Sequence, residues 1–186
     1  MRIFLSLALL FSFSVVAQES TEYKYEVESN KAEYYIGSYK KGKDVEDLAA
    51  WYGKFAQWAD SKGSTFDKMS VAILTPYFSS ELSTHDVMWV TNTPGPLEQF
   101  AGLQEWVTDG MPMLGKSLPV VNSQVLDTWQ WVVSSPATTE EDTLMYATYA
   151  DCSLEDGYDM RQVYDMYKDF AVFAQSQGDT LGRKLI

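Results

Sequence analysis

The sequence predicts an α+β fold: one β-α-β-β-α-β unit over residues 34–135, with both helices on one face of an antiparallel sheet, then a partial second βα repeat over residues 144–186. Three observations carry this expectation. Apolar residues change along the chain between alternation, the strand period, and spacings of three and four, the helix period, in that order of elements. A stretch holding a strand, a loop and a helix occurs twice. Hydrophobic residues make up 46% of the 186 positions and aromatic residues 15%, which is enough to bury a core and too much for a disordered chain.

The first element is an address. Arg2, the apolar run Ile3 to Val16 and the small-residue ending Val15-Val16-Ala17 describe a secretory signal peptide over residues 1–17. The run falls short of the ~20 residues that span a bilayer, so cleavage before Gln18 leaves no membrane span. The expected product is an exported soluble protein, periplasmic or extracellular, with residues 18–33 as an N-terminal linker.

The unit then begins with a strand at Tyr34–Tyr39. Asp44 followed by Asp47 forms a loose capping box, and Val45, Leu48, Tyr52, Phe55 and Ala59 form a helical stripe that ends before Gly63, where a left-handed residue belongs. A strand at Met69–Phe78, with Val71 and Ile73 alternating, is followed by a polar turn over Ser79–Thr84, a strand at Asp86–Thr91 and a loop at Asn92–Gly95. Pro96 suits the first turn of a helix whose stripe is Leu97, Phe100, Leu103 and Val107, stopping at Gly110. A long loop with Met111, Pro112 and Pro119 leads to a strand over Gln124–Val133, where Trp129, Trp131 and Val133 share a face. This order of elements is that of a ferredoxin-like unit.

The repeat extends the pattern. Lys54–Gly63 recurs as Asp169–Gly178 with Phe, Ala, Ala, Ser and Gly identical, and Trp58 matched by Phe173, at an offset of 115 positions. After an acidic linker over residues 136–143 comes an expected strand, Leu144–Tyr149. A second capped helix follows, with Asp159 and Gln162 at its start, the stripe Met160, Val163, Tyr167, Phe170 and Ala174, and Gly178 at its end. By the same offset the chain stops as the copy's second strand begins, so a fragment lacking about 60–70 residues is expected. The alternative is a complete protein whose last strand joins the first unit's sheet.

Function is bounded first by exclusion. Fourteen basic residues against 26 acidic ones, a net charge of −12, leave no basic surface for nucleic acid. Cys152 alone cannot close an intramolecular disulfide, and His85 alone excludes sites needing two histidines. Asp151–Gly157 places oxygen side chains like a calcium loop but has Asp156 where glycine is required and Gln162 where a bidentate Glu belongs, so no metal is expected. His85 beside Asp86 could serve as a general base, although neighbours on a strand face opposite ways; a solvent-facing or backbone-bonded histidine is the competing reading.

The element order and the duplication resemble the dimeric α/β-barrel superfamily, as a tandem-repeat member with its second repeat truncated. That resemblance implies two sheets packed face to face, as a pseudo-dimer within one longer chain or as a homodimer, and an apolar ligand cavity between sheet and helices. Members include antibiotic-biosynthesis, haem-degrading and stress-responsive proteins. The haem-degrading members carry the iron-ligating histidine on a helix; His85 stands at the start of a strand, so haem is not expected, nor is any other cofactor. The expected function is binding of a small apolar or aromatic ligand, or of an envelope partner, at Trp89, Trp129, Trp131 and His85, with ordinary core packing the competing reading for the tryptophans. The alternative is a cofactor-independent monooxygenase using the same pocket.

Overall fold

The first strand starts five residues earlier than the alternation around Tyr34 alone indicates. In the computed structural model, which describes residues 22–77, 85–137 and 145–186, strand β1 spans Ser29–Tyr39. Lys31, Glu33 and Tyr35 face one side of it and Ala32, Tyr34 and Ile36 the other. It is long because it is bonded on both edges. Strands β2 (Ser70–Leu74), β3 (Val87–Thr93), β4 (Val120–Ser134) and β5 (Arg183–Leu185) complete an antiparallel sheet in the order β2-β3-β1-β4-β5. The signal segment 1–17, the turn 79–84 and the acidic run Glu140–Asp142 lie outside the described residues.

Helices α1 (Val45–Asp60), α2 (Pro96–Glu105) and, after the short α3 (Met111–Leu114), α4 (Met160–Ser176) pack on one face of this sheet. Local chemistry starts α1 and α4. Asp44 accepts from the Glu46 and Asp47 amides at 3.0 and 3.1 Å while Asp47 accepts from the Asp44 amide at 3.3 Å. Asp159 and Gln162 exchange the same pair of bonds at 2.8 and 2.9 Å. Gly63 and Gly178 both take positive φ after the last turn.

Packing then departs from the expected stripes. In α1, Leu48, Phe55 and Ala59 are buried as expected, but Trp51 and Trp58 join them while Val45 and Tyr52 are exposed. In α4 the buried residues are Tyr164 and Ala171, against Val133 with Trp131 beside them, and Met160 and Phe170 are exposed. Along α2 and just past its end the whole stripe Leu97, Phe100, Leu103 and Val107 is exposed, and Gln99 and Gly102 are buried instead.

Two backbone expectations are also corrected. Gly110 does not end the helix: its φ and ψ are −63° and −47°, and the chain continues through a π turn (Trp106–Gly110), α3 and a 3-10 turn (Gly115–Ser117) where a loop was expected. Glycine is needed there for space, because a Cβ would overlap the Trp106 ring and lie 2.7 Å from Trp58 Cζ2. Met145–Tyr149 forms no strand. The β4 edge of the sheet is already occupied by β5, which pairs Leu185 with Trp131. Tyr149 instead sets its ring edge-on to Tyr34, centroids 6.2 Å apart, on the face opposite the helices. On that face Ala32, Tyr34 and Val90 form a separate buried cluster.

Candidate ligand-binding cavity

Between the helix-bearing face of the sheet and α1, α2 and α3 lies a cavity of about 750 Å3. Its wall is aromatic. Trp51 and Phe55 come from α1, Phe66 from the turn after it, Trp89 from β3 and Trp106 from the π turn. Phe55 stacks on Trp51 at 5.7 Å and meets Trp89 and Trp106 edge-on at 5.4 and 5.9 Å, spacings at which ring pairs attract beyond their burial. The indole N–H groups are tied down from outside the cavity: Trp51 Nε1 donates to the Leu114 carbonyl at 3.1 Å and Trp58 Nε1 to Asp109 Oδ2 at 2.8 Å. Lys62 pairs with Asp109, and these two bonds, Lys62 first, hold the Asp109 carboxyl below its usual value. The π turn is thereby clamped to α1 and keeps Trp106 facing Trp51 and Phe55.

The other end of the cavity is polar, and sheet register builds it. Thr91 of β3, Glu33 of β1 and Asp127 of β4 stand side by side across three strands. Thr91 Oγ1 donates to Glu33 Oε2 at 3.2 Å. Asp127 pairs with the buried Lys31 at 2.6 Å and accepts from Gln99 Nε2 at 3.0 Å, and its carboxyl is held below its usual value by Lys31 and then by Gln99. A carboxylate only accepts, so this contact fixes the Gln99 amide with its nitrogen toward Asp127. Gln99 Oε1, in a residue 6% exposed, has no hydrogen-bond partner among the described residues. Tyr35, next to Glu33 on the same face, has its phenol pushed up by burial and then by the Glu33 charge.

Of the residues expected to bind ligand, Trp89 lines this cavity and the others do not. Trp129 lies half-exposed beside Lys31, whose Nζ is 5.2 Å from the ring centroid. Trp131 packs edge-on to Tyr164 beneath α4, and His85 sits just ahead of β3. Glu33, Tyr35, Thr91 and Gln99 were not anticipated. The alternation Lys31-Glu33-Tyr35, running from the presumed linker into the expected first strand, was the available signal for two of them, and register alone supplies the rest.

The chain matches no family model, and no curated protein matches it. Among the described residues no helix is long and apolar enough to cross a membrane. The cavity's own residues define its chemistry: aromatic walls for a flat or apolar body, and carboxylate, amide and hydroxyl groups at one end to orient it.

Proposed function

We propose that this is an exported binding protein that holds a small apolar or aromatic ligand between its sheet and its helices. The cavity carries the reading: about 750 Å3 of space beneath α1 and α2, in the size range of small-molecule sites, with Trp51, Trp89 and Trp106 on its wall. The strand order β2-β3-β1-β4, with α1 and α2 on one face, supports a ferredoxin-like unit within it, and through that unit a relation to the dimeric α/β barrels. Calorimetric titration with 1-naphthalenemethanol tests the reading. Saturable binding is expected, accompanied by a change in tryptophan fluorescence, and Thr91→Phe, which fills the floor, should weaken it at least about tenfold, about 1.4 kcal/mol. Absence of binding, or equal binding by the filled variant, would sink it.

Two other readings draw on particular features. The exposed stripe Leu97 and Phe100 on α2 with Val107 of the π turn suits an envelope partner. The adjacent Tyr35 and Glu33 at the cavity's polar end would suit a cofactor-independent monooxygenase. Incorporation of labelled oxygen into a phenolic substrate would replace binding by catalysis.

A further inference from the structure

We infer that the ligand of this cavity carries a protonated amine on an apolar or aromatic body, with the ammonium seated at Glu33 and the body against Trp51, Trp89 and Trp106. The inference rests on the cavity being a ligand site and adds the chemical class it selects.

Glu33 and Asp127 are direct cross-strand partners, and like charges in that relation repel. Only one of them is compensated. Asp127 has Lys31 at 2.6 Å and Gln99 at 3.0 Å. Glu33 has two neutral groups beside it, the Thr91 hydroxyl at 3.2 Å and the Tyr35 phenol, and among the described residues no Lys, Arg or His nitrogen lies within 4.0 Å of its carboxylate. Glu33 lines the cavity and Asp127 does not. The cavity's second acid, Glu98, is met by Lys68 at 3.4 Å, and its lysine, Lys116, is exposed on the turn after α3. The cavity thus presents one half-buried carboxylate without a counter-charge, at the end away from the aromatic wall.

A carboxylate drawn out of water without a partner is costly, and the cost is removed by whatever brings a cation to it. An ammonium brings Glu33 a positive charge together with its hydrogen bonds, which the neutral Thr91 and Tyr35 hydroxyls cannot. An alcohol of the same shape offers one hydrogen bond from a neutral donor and leaves the charge unmatched. A carboxylic acid meets Glu33 and, one strand away, Asp127, and is repelled by both.

The test compares three probes of one shape: 1-naphthylmethylamine, 1-naphthalenemethanol and 1-naphthoic acid, titrated calorimetrically into the purified protein at pH 7 and low salt. The amine should bind at least about tenfold tighter than the alcohol, and the acid weakest, as expected when a hydrogen-bonded ion pair replaces a hydrogen bond from a neutral donor. Glu33→Gln should bring the amine down to the alcohol's affinity and leave the alcohol within about twofold. Circular dichroism checks that the variant folds; should it not, Glu33→Asp in its place should keep the amine preference while changing its size. Equal binding of amine and alcohol by the wild type, or an undiminished amine preference in Glu33→Gln, overturns the inference while leaving the cavity a ligand site. No binding by any of the three overturns that reading and the inference together.

Discussion

Helices α1 and α4 begin with the same capping box, end before a left-handed glycine and share a Phe-Ala-x-aromatic-Ala run, yet they dock through different faces. In α1, Trp51, Phe55 and Trp58 lie against the sheet at 5%, 8% and 6% exposure. The matching Met166, Phe170 and Phe173 of α4 are 58%, 52% and 63% exposed. What differs is on the neighbouring face. Where α1 has Ala49, Ala50 and Lys54, α4 has Tyr164, Asp165 and Asp169. Tyr164 is fully buried and its hydroxyl donates to the carbonyls of Val132 and Glu26 at 3.0 and 3.3 Å. Asp165 accepts from the backbone amides of Lys24 and Tyr25 at 2.7 and 3.2 Å, and Asp169 accepts from the Tyr25 hydroxyl at 2.7 Å. A large apolar stripe offers a face for docking; directional hydrogen bonds decided which face α4 used.

The comparison breaks most directly at its aromatic residues. Phe55→Ala should lower stability by about 3–5 kcal/mol, and its counterpart Phe170→Ala by less than about 1, in urea unfolding. Equal losses would mean that the α4 stripe is packed as well. The anchor is the next largest effect. Asp165→Ala leaves two backbone amides without their acceptor and should cost about 1–3 kcal/mol, detached first at the N-terminal segment, which hydrogen exchange at Lys24 and Tyr25 would register. The caps should be equal, because they are local: Asp44→Ala and Asp159→Ala are each expected to cost about 1 kcal/mol, and a clear inequality between their unfolding midpoints would show that docking, not the cap, governs one of them.

The smallest effect is in acid. Asp109, held low by Lys62 and then Trp58, ties the π turn to α1; Asp169, held low by Lys24 and then Tyr25, ties the N-terminal segment to α4. A carboxyl whose native value is depressed contributes stability above its usual value of 3.8, and that contribution is lost as pH falls through the lower native value. Unfolding midpoints should therefore decline below about pH 4, less steeply in Asp109→Asn and Asp169→Asn, and both carboxyl groups being solvent-exposed, added salt should shrink the difference. A decline identical in wild type and both variants would assign the acid sensitivity elsewhere.

The parts of the fold legible in the sequence were those that neighbours in the chain decide. The caps at Asp44 and Asp159 and the turns at Gly63 and Gly178 need only residues within a few positions of each other. Periodicity misled at α2, because it assumes that the apolar side of a helix faces the core. There the inward side carries Gln99 and Gly102, one bonded to Asp127 and the other in close approach to Phe66. The site was less legible than the fold. Trp89 could be named from its strand, but Glu33 lay in a stretch read as linker, and nothing local pairs it with Asp127.

By itself, then, the sequence determined an α+β chain whose two similar helices start and stop at marked residues, because capping and turn chemistry act over one helical turn. Tertiary structure decided which faces those helices bury, the addition of β5 to the β4 edge, and the row Thr91-Glu33-Asp127, of which Thr91 and Glu33 line the cavity. These depend on strand register and on hydrogen bonds between residues more than a hundred positions apart, such as Tyr25 with Asp165, and no local pattern encodes distances of that kind.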